Sequence, residues 1–279
     1  MKVHFCGVRG STPAPGIEFV RYGGHTSCVA LTPDGASAPR LILDAGAGLQ
    51  RASALLDGHA FAGTIPLSHL HWDHVLGLPF FSAADCVDAH THVLLPEQAS
   101  GADAAEVLAG MMSPPYFPVG PTELRGSWSF GAVTPGVREI EGFTVLAREV
   151  PHKGGRTFGY RISDDHSTLT YMPDHCPTAL GPGADGFGAI HETALELAAD
   201  SDLLIHDAQL FPAELAETDF GHAVADYAVS LARSASARSV AFFHHRPGRR
   251  DEELDDLAAR FADSSPPALV ATEGTTIEL

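Results

Sequence analysis

The polar run at residues 68–74, SHLHWDH, constrains this chain more than any other stretch. Four of its side chains can bind a metal ion: His69, His71, Asp73 and His74. The preceding residues 63–67 are apolar and predict a strand, whose alternation places the first three donors on one side as it ends. The fourth opens the following turn and faces the same space. One ion cannot easily take four donors from so short a segment, so the run indicates two neighbouring metal ions. The alternative is a polar loop that is merely rich in histidine.

Length and charge limit what such a site can serve. The 279 residues contain no linker, repeat or low-complexity block, so we expect one α/β domain over residues 1–279. Acidic residues outnumber basic ones by 35 to 17, and the formal net charge is −18. A field of that sign repels polyanions at long range, which makes extended RNA or DNA a poor candidate substrate.

The cysteines and the N-terminal residues predict a cytoplasmic protein. The four cysteines, Cys6, Cys28, Cys86 and Cys176, are widely spaced and form no Cys-x-x-Cys pair. This spacing matches neither a disulfide framework nor a zinc ribbon. Residues 1–8 lack the apolar core of a secretory signal, and no run reaches the length of a membrane span. We therefore expect no membrane association.

Apolar segments along the chain predict strands that deliver a polar residue at one end. These strands and the residues that follow or end them are 40–44 with Asp44, 143–150 with His152, 168–172 with Asp174, 203–205 with His206 and Asp207, and 239–243 with His244. Helices are predicted over 49–56, 75–81, 102–112, 190–199, 222–234 and 251–261, the second of them disturbed by Pro79. The proline-rich segment 113–121 is predicted to be irregular, either as a lid or as a plain connection.

The ordered set of motifs resembles a known family. Residues 69–74 read His-x-His-x-Asp-His, the signature of the metallo-β-lactamase fold. Further blocks resemble its RNase Z and cyclic-phosphodiesterase branch, and they lie at residues 7–13, 21–28, 41–48, 150–152, 159–161, 171–174, 202–208, 221–222 and 242–245. The blocks extend from about residue 3 to about residue 247. This resemblance implies a four-layer αβ/βα sandwich.

The resemblance also implies a set of metal ligands. One ion would be bound by His69, His71 and His152, the other by Asp73, His74 and His244, with Asp174 between them. His245 competes with His244, but the latter follows the apolar strand directly, as the family ligand does. Imidazole and carboxylate donors suit two divalent ions, zinc first, with manganese or iron as alternatives.

A catalytic pair follows from the same resemblance. His222 matches the family histidine that protonates the leaving oxygen, and Asp207 matches the acidic residue that orients it. RNase Z has Glu at this second position, so the shorter side chain leaves the pairing distance open. Together with the ligand Asp73, these residues form the candidate catalytic set. The alternative for His222 is a polar residue at a helix start.

Three cations are candidate substrate contacts. Lys153 and Arg156 follow His152 with two glycines between them, a pattern that suits a bound phosphate. Arg246 begins a cluster with two further arginines, which either binds a second anionic group or pairs with the acidic residues 251–253. Asp44 is either a turn residue or the acceptor that orients a ligand histidine.

These features favour a dinuclear metal hydrolase that attacks a small phosphodiester, cyclic or linear, with a hydroxide shared by the metal ions. Cleavage of a carboxyl ester, lactone or thioester on the same site is the main alternative, followed by a diiron oxygen-using biosynthetic enzyme. A non-catalytic binding protein would be expected to lack a ligand, and none is missing. Processing of tRNA is disfavoured by the charge and by the absence of a long basic arm. The expected partner is a small molecule, and a homodimer is the assembly that the resemblance implies.

Overall fold

Fourteen strands form two seven-stranded sheets in the computed structural model, which describes residues 1–98, 101–215 and 221–279. The first sheet contains β1 (Lys2–Gly7), β2 (Cys28–Thr32), β3 (Leu41–Leu43), β4 (Ala62–Pro66), β5 (His90–Pro96), β6 (Ser127–Val133) and β14 (Thr276–Glu278). The second contains β7 (Gly136–Ile140), β8 (Phe143–Val150), β9 (Thr157–Ser163), β10 (Thr168–Met172), β11 (Leu203–Asp207), β12 (Val240–Phe243) and β13 (Ala268–Val270). The strand orders are 14-1-2-3-4-5-6 and 13-12-11-10-9-8-7.

Strand direction brings the polar strand ends to one edge. Strands β10 to β13 are mutually parallel, and β8 has the same direction because β9 is antiparallel to both of its neighbours. In the first sheet, β3 to β6 are parallel. The carboxyl ends of parallel strands meet at one edge of a sheet, where loops form ligand sites. The segments that follow β8, β10, β11 and β12 therefore leave the second sheet on the same side.

Apolar side chains from both sheets fill the space between them. Residues Phe158, Tyr160 and Ile162 alternate along β9 and belong to the same buried cluster as Val3 and Phe5 of β1. Such alternation is the period of a strand with one face toward a core. The two sheets are thus held together by a continuous apolar layer.

Helices cover the outer faces. They are α1 (Leu49–Ala52), α2 (Trp72–Val75), α3 (Ala104–Ala109), α4 (Glu192–Ala198), α5 (Ala225–Ser234) and α6 (Asp251–Arg260). Leu231 of α5 packs with Leu204 and Phe242 behind the second sheet, and Leu49 of α1 packs with Ile42 behind the first. The layers are therefore helix, sheet, sheet and helix, and the predicted four-layer αβ/βα sandwich is confirmed. None of the helices in the described residues has the length and apolar content needed to cross a bilayer.

Several predicted elements differ from those observed. The predicted helix over 75–81 is wrong: α2 ends at Val75, and a separate 3₁₀ turn at Leu78–Phe80 contains Pro79. Strands β6 and β7 were not predicted, because their mixed exposed and half-buried residues produce a weak alternation. The predicted helix over 102–112 shortens to α3, which begins after Asp103, whose side chain accepts the Ala105 N–H at 2.9 Å.

Candidate metal centre

The run at residues 68–74 reaches the site by a turn into a helix rather than as a continued strand. Strand β4 ends at Pro66, and Asp73 and His74 lie inside α2. Backbone groups hold this turn, since the N–H of Phe158 donates to the Ser68 carbonyl at 2.8 Å. The helix therefore directs Asp73 toward the cleft and His74 toward the neighbouring donors, whereas the exposed Trp72 lies on another face.

The structure brings all seven sequence-predicted ligands together at the sheet edge. They form three overlapping groups whose donor atoms lie within 4.8 Å of one another: His69, His71 and His152; Asp73, His74 and His244; and His69, His74 and Asp174. The first two groups are the two ligand sets that the family resemblance implied. Side chains from both sheets contribute, so only the packed fold assembles the groups.

The first group has the spacing of ligands on one ion. His71 Nδ1 lies 3.3 Å from His152 Nε2. His69 Nε2 is buried and has no hydrogen-bond partner among the described residues. Tetrahedral zinc with Zn–N bonds of about 2.0–2.1 Å separates its ligand atoms by about 3.3–3.4 Å. An orphaned buried nitrogen beside two converging imidazoles therefore fits a bound cation.

The second group has the same spacing. His74 Nε2 lies 3.3 Å from His244 Nε2, and Asp73 Oδ2 lies 3.1 Å from the latter. Asp174 lies between the groups: its Oδ1 is 3.5 Å from His152 Nε2, and its Oδ2 is 3.0 Å from His74 Nε2. One carboxylate oxygen thus faces each group, as expected of a bridging ligand.

Outward ring nitrogens are held by oxygen acceptors. His69 Nδ1 lies 3.1 Å from Ser68 Oγ, and His152 Nδ1 lies 2.7 Å from the Gly221 carbonyl. His74 Nδ1 lies 2.7 Å from Asp44 Oδ2, which also accepts the Tyr171 hydroxyl at 2.8 Å. Such partners fix the ring tautomer and orientation of a metal ligand. The structure supports the orienting role for Asp44, and its φ of 61° also gives it the backbone conformation of a turn residue.

Electrostatics favour neutral imidazoles in the first group. Burial lowers the pKa of His69 well below its usual value, and burial followed by the neighbouring His152 ring lowers the pKa of His71. For His74 burial acts in the same direction, but the carboxylates of Asp73 and Asp174 outweigh it and raise the pKa. A neutral imidazole is the form that binds a metal ion.

His222 and Asp207 form a buried pair beside these groups. His222 Nδ1 lies 2.9 Å from Asp207 Oδ2, so the shorter carboxylate side chain still reaches the ring. Burial would lower the pKa of His222, but the Asp207 carboxylate outweighs it and raises the pKa. The ring lines the cleft. Asp174, Asp207, His222 and His244 also form a compact donor group, so a ligand role for His222 is a further geometric option.

The structure separates the two adjacent histidines. His244 lines the cleft, whereas His245 Nε2 donates to the Ala271 carbonyl at 2.8 Å. Burial lowers the pKa of His245 to about 3. The ring of His245 is therefore a neutral core side chain. Of the two histidines, His244 is the one whose position suits a metal ligand.

Only one of the three candidate cations lines the cleft, whose volume is about 400 Å³. Arg246 lies there and pairs with Glu214 at 3.1 Å. Arg156 instead pairs with Glu149 at 3.0 Å, and Lys153 is exposed outside the lining. The lining described for the cleft contains no residue of 113–121.

Sequence reasoning missed two polar residues of the cleft, Ser11 and Gln209. The Ser11 N–H donates to Asp73 Oδ2 at 2.6 Å. Ser11 has φ of 63°, a conformation that few side-chain-bearing residues adopt. A polar residue after Arg9-Gly10 was the available signal for Ser11, and for Gln209 it was the position two residues after Asp207.

Comparison with known proteins identifies the family. Residues 40–245 match the family described as "Beta-lactamase superfamily domain". A ribonuclease Z of Gemmatimonas aurantiaca is 24% identical over 318 aligned positions, covering 99% of this chain and 95% of that protein. A ribonuclease Z of Haloarcula marismortui is 26% identical and covers 94% of this chain and 92% of that protein.

Solved structures show the same fold. The metallo-β-lactamase-fold protein YhfI of Bacillus subtilis has a TM-score of 0.69 at 17% identity, covering 100% of this chain and 99% of YhfI. Human tRNase Z, short form, has a TM-score of 0.67 at 18% identity, with 100% and 99% covered. A diphosphatase from the PhnP family has a TM-score of 0.68 at 18% identity, with 100% and 97% covered.

The fold and the donor groups define a metal-dependent hydrolase. This chain belongs to the beta-lactamase superfamily, and its similarity to ribonuclease Z proteins confirms the predicted branch.

Proposed function

We propose that this protein hydrolyses a small phosphodiester, cyclic or linear, at a dinuclear centre. The observation that carries the proposal is the arrangement of the donors: Asp174 lies between the two groups with one oxygen toward each, and His222 lines the same cleft. Zinc is the first choice of metal because imidazole nitrogens dominate and their spacing suits tetrahedral coordination; manganese and iron are alternatives.

Metal ions bound there would supply an activated water and neutralise the negative charge of the phosphodiester. The chain supplies the remaining steps. Asp174 holds the two groups together through its separate oxygens, and Asp44 keeps the ring of His74 oriented. Arg246 at the rim of the cleft is the proposed contact for an anionic part of the substrate.

His222 is proposed to protonate the leaving oxygen. Its Nδ1 is held by Asp207 at 2.9 Å, which leaves Nε2 for the cleft. The raised pKa keeps this imidazole protonated to a higher pH than usual, as a proton donor requires. The alkoxide leaving group of a phosphodiester needs that proton, whereas a thiolate leaving group does not, so the pair favours a diester over a thioester.

A small substrate fits the cleft and the charge of the chain. A cleft of about 400 Å³ lies in the range of small-molecule sites. The net charge of −18 opposes long-range attraction of RNA. Because the curated relatives are named ribonuclease Z, a tRNA precursor is the second candidate substrate and belongs in the same assay.

We further propose a homodimer and, as the sequence suggests, a cytoplasmic single-domain protein. An exposed aromatic surface supports the dimer: Trp72, Phe80 and Tyr116 are 75%, 52% and 80% exposed and line one apolar cleft. Patches of this kind mark association sites. Light scattering of the wild type should give a mass of twice the chain mass. The double variant Trp72→Ser and Tyr116→Ser should have the mass of a single chain. A monomeric wild-type protein would overturn the proposed dimer.

The deciding experiment compares substrate classes on metal-reconstituted protein. Bis(p-nitrophenyl) phosphate, p-nitrophenyl acetate and a tRNA precursor would be assayed with the wild type and with Asp174→Ala. Diester hydrolysis that disappears in the variant supports the proposal. Hydrolysis of the acetate alone favours the ester, lactone or thioester alternative, and rapid cleavage of the tRNA precursor with slow diester turnover favours RNA processing. Inactivity on all three by protein loaded with iron or zinc would overturn the proposed phosphodiesterase.

A further inference from the structure

The outward nitrogen of His244 has a partner that differs from those of the other ligand histidines. Its Nδ1 lies 3.1 Å from the amide nitrogen of Gln209, and the same amide atom lies 3.2 Å from Ser11 Oγ. Gln209 is only 6% exposed, although glutamine is usually a surface residue. A buried amide in contact with a candidate metal ligand therefore needs a role.

Metal binding determines which end of the amide must face the ring. His244 Nε2 points at Asp73 and Asp174, at 3.1 and 3.3 Å, so it is the atom that would bind an ion and must carry no proton. The neutral ring then carries its proton on Nδ1 and donates it. An amide nitrogen cannot accept that proton, whereas the amide oxygen can.

Turning the amide plane by 180° satisfies every contact. The amide oxygen then accepts the Nδ1–H of His244, and it also accepts the Ser11 hydroxyl. The nitrogen and oxygen of an amide have nearly the same shape, so the hydrogen-bond network decides the orientation. Within the described residues, the outward nitrogens of His69, His74 and His152 also meet oxygens.

Close packing and backbone conformation also restrict the orientation of the His244 ring. A Cβ atom on Gly10 would lie 2.4 Å from the ring, so the backbone of Gly10 already lies close against the imidazole. His244 itself has φ of 60°, which sets the direction in which its side chain leaves the strand end. The backbone N–H of Gln209 donates to Asp207 Oδ1 at 3.0 Å. This hydrogen bond connects Gln209 to the His222–Asp207 pair.

We infer that Gln209 is a positioning residue for the ion of the Asp73–His74–His244 group, with its amide oxygen accepting the Nδ1–H of His244. This inference rests on the dinuclear centre of the proposed function. Loss of such a hydrogen bond weakens metal affinity by about 10–100-fold in other sites. The hydrogen bonds described for Gln209 involve none of His69, His71 and His152, so an ion bound by that group should be unaffected.

Stepwise zinc binding to the metal-free protein tests the inference without substrate. Competition with a chromophoric chelator would measure both affinities in the wild type, Gln209→Met and Gln209→Glu. Gln209→Met keeps the side-chain length but removes the hydrogen-bond acceptor. We therefore expect the zinc affinity of the Asp73–His74–His244 group to fall about 10–100-fold and that of the His69–His71–His152 group to stay unchanged. Gln209→Glu keeps an oxygen acceptor, so we expect it to bind zinc at the Asp73–His74–His244 group with the wild-type affinity. Gln50→Met on the exposed face of α1 is the matched control and should bind both ions like the wild type.

Three outcomes would overturn the inference. The zinc affinity of the Asp73–His74–His244 group could be the same in Gln209→Met and the wild type, it could fall equally in both Gln209 variants, or the wild type could bind a single ion. If Gln209→Met fails to fold, loss of the ion of this group from folded Gln209→Glu would also contradict the inference. Normal binding of two ions by a protein that cleaves no diester would overturn the proposed function and leave this inference intact.

Discussion

At the residue scale, the His222–Asp207 pair separates chemistry from metal binding. Asp207 is fully buried, and its second oxygen accepts the Gln209 N–H, so the carboxylate cannot easily turn away from the ring. We predict that His222→Ala lowers kcat by about 10²–10⁴-fold for a diester with an alkoxide leaving group, the usual contribution of a positioned proton donor. Metal content by elemental analysis should equal that of the wild type. Loss of one ion from this variant would instead assign His222 a ligand role.

His245 offers a second prediction at this scale, through pH. Its pKa is about 3 in the folded chain against a usual 6.5, so the unfolded chain takes up this proton first as pH falls. Stability therefore rises with pH across that window and falls on acidification. The unfolding free energy of the wild type should fall between pH 7.5 and pH 5.5. We predict that this fall is about 1.4 kcal/mol smaller in His245→Gln. Urea unfolding at both pH values measures the difference, and equal losses in the two proteins would contradict it.

At the element scale, Arg9 joins the end of β1 to the loop before α6. It is fully buried, its Nε donates to the Gly23 carbonyl at 2.7 Å, and one terminal nitrogen contacts the Arg246 carbonyl at 3.3 Å. Its other terminal nitrogen lies 3.8 Å from Asp251 at the start of α6. The guanidinium thus holds the loop that carries the cleft residue Arg246. The ammonium group of a lysine could not do so in the same way, because its donors do not form a planar array.

We predict that Arg9→Met destabilises the protein by about 3 kcal/mol, because the carbonyls of Gly23, Arg246 and Arg249 lose a buried donor. The matched control is Arg238→Met, since Arg238 is 79% exposed and pairs with Asp202 at the surface. Exposed pairs contribute about 0–1 kcal/mol. Chemical denaturation measures both changes. Equal small effects would show that the loop is held by its other contacts.

At the scale of the whole molecule, the metal centre connects the two sheets. Donors come from the end of β4 in the first sheet and from the ends of β8, β10 and β12 in the second. Ions that bind only this assembled edge stabilise the folded chain by mass action. The Nε2 atoms of His74 and His244 each lie within 3.3 Å of Asp73 Oδ2 and of Asp174 Oδ2.

We predict that zinc at about 100 times its dissociation constant adds about 2.7 kcal/mol of stability. For a chain of this size, that gain corresponds to a Tm increase of about 5–10 °C. Differential scanning calorimetry with zinc and with a chelator measures it. Asp174→Ala should lose most of the increase, and an undiminished increase in that variant would place the stabilising ion elsewhere.

The local pattern of the sequence indicated where polar residues follow apolar strands, and the family resemblance implied which of these residues are metal ligands. Apolar runs followed by His69, His152, Asp174 and His244 are local features, and strand formation depends on the alternation or apolar content of a few neighbouring residues. The same local signals failed for β6 and β7, whose side chains alternate weakly, and they placed a helix over 75–81, where α2 has already ended at Val75.

Only the tertiary structure decided which neighbours face the cleft, because those choices depend on contacts between distant segments. His244 and His245 are adjacent in sequence, yet Gly10 and the Ala271 carbonyl direct the two rings to opposite environments. Gln209 contacts Ser11 across 198 positions, and no local pattern encodes such a contact. Arg156 follows a proposed ligand closely, but its pairing with Glu149 keeps its charge at the surface. Burial and long-range hydrogen bonds, which arise only when the two sheets pack, made each of these decisions.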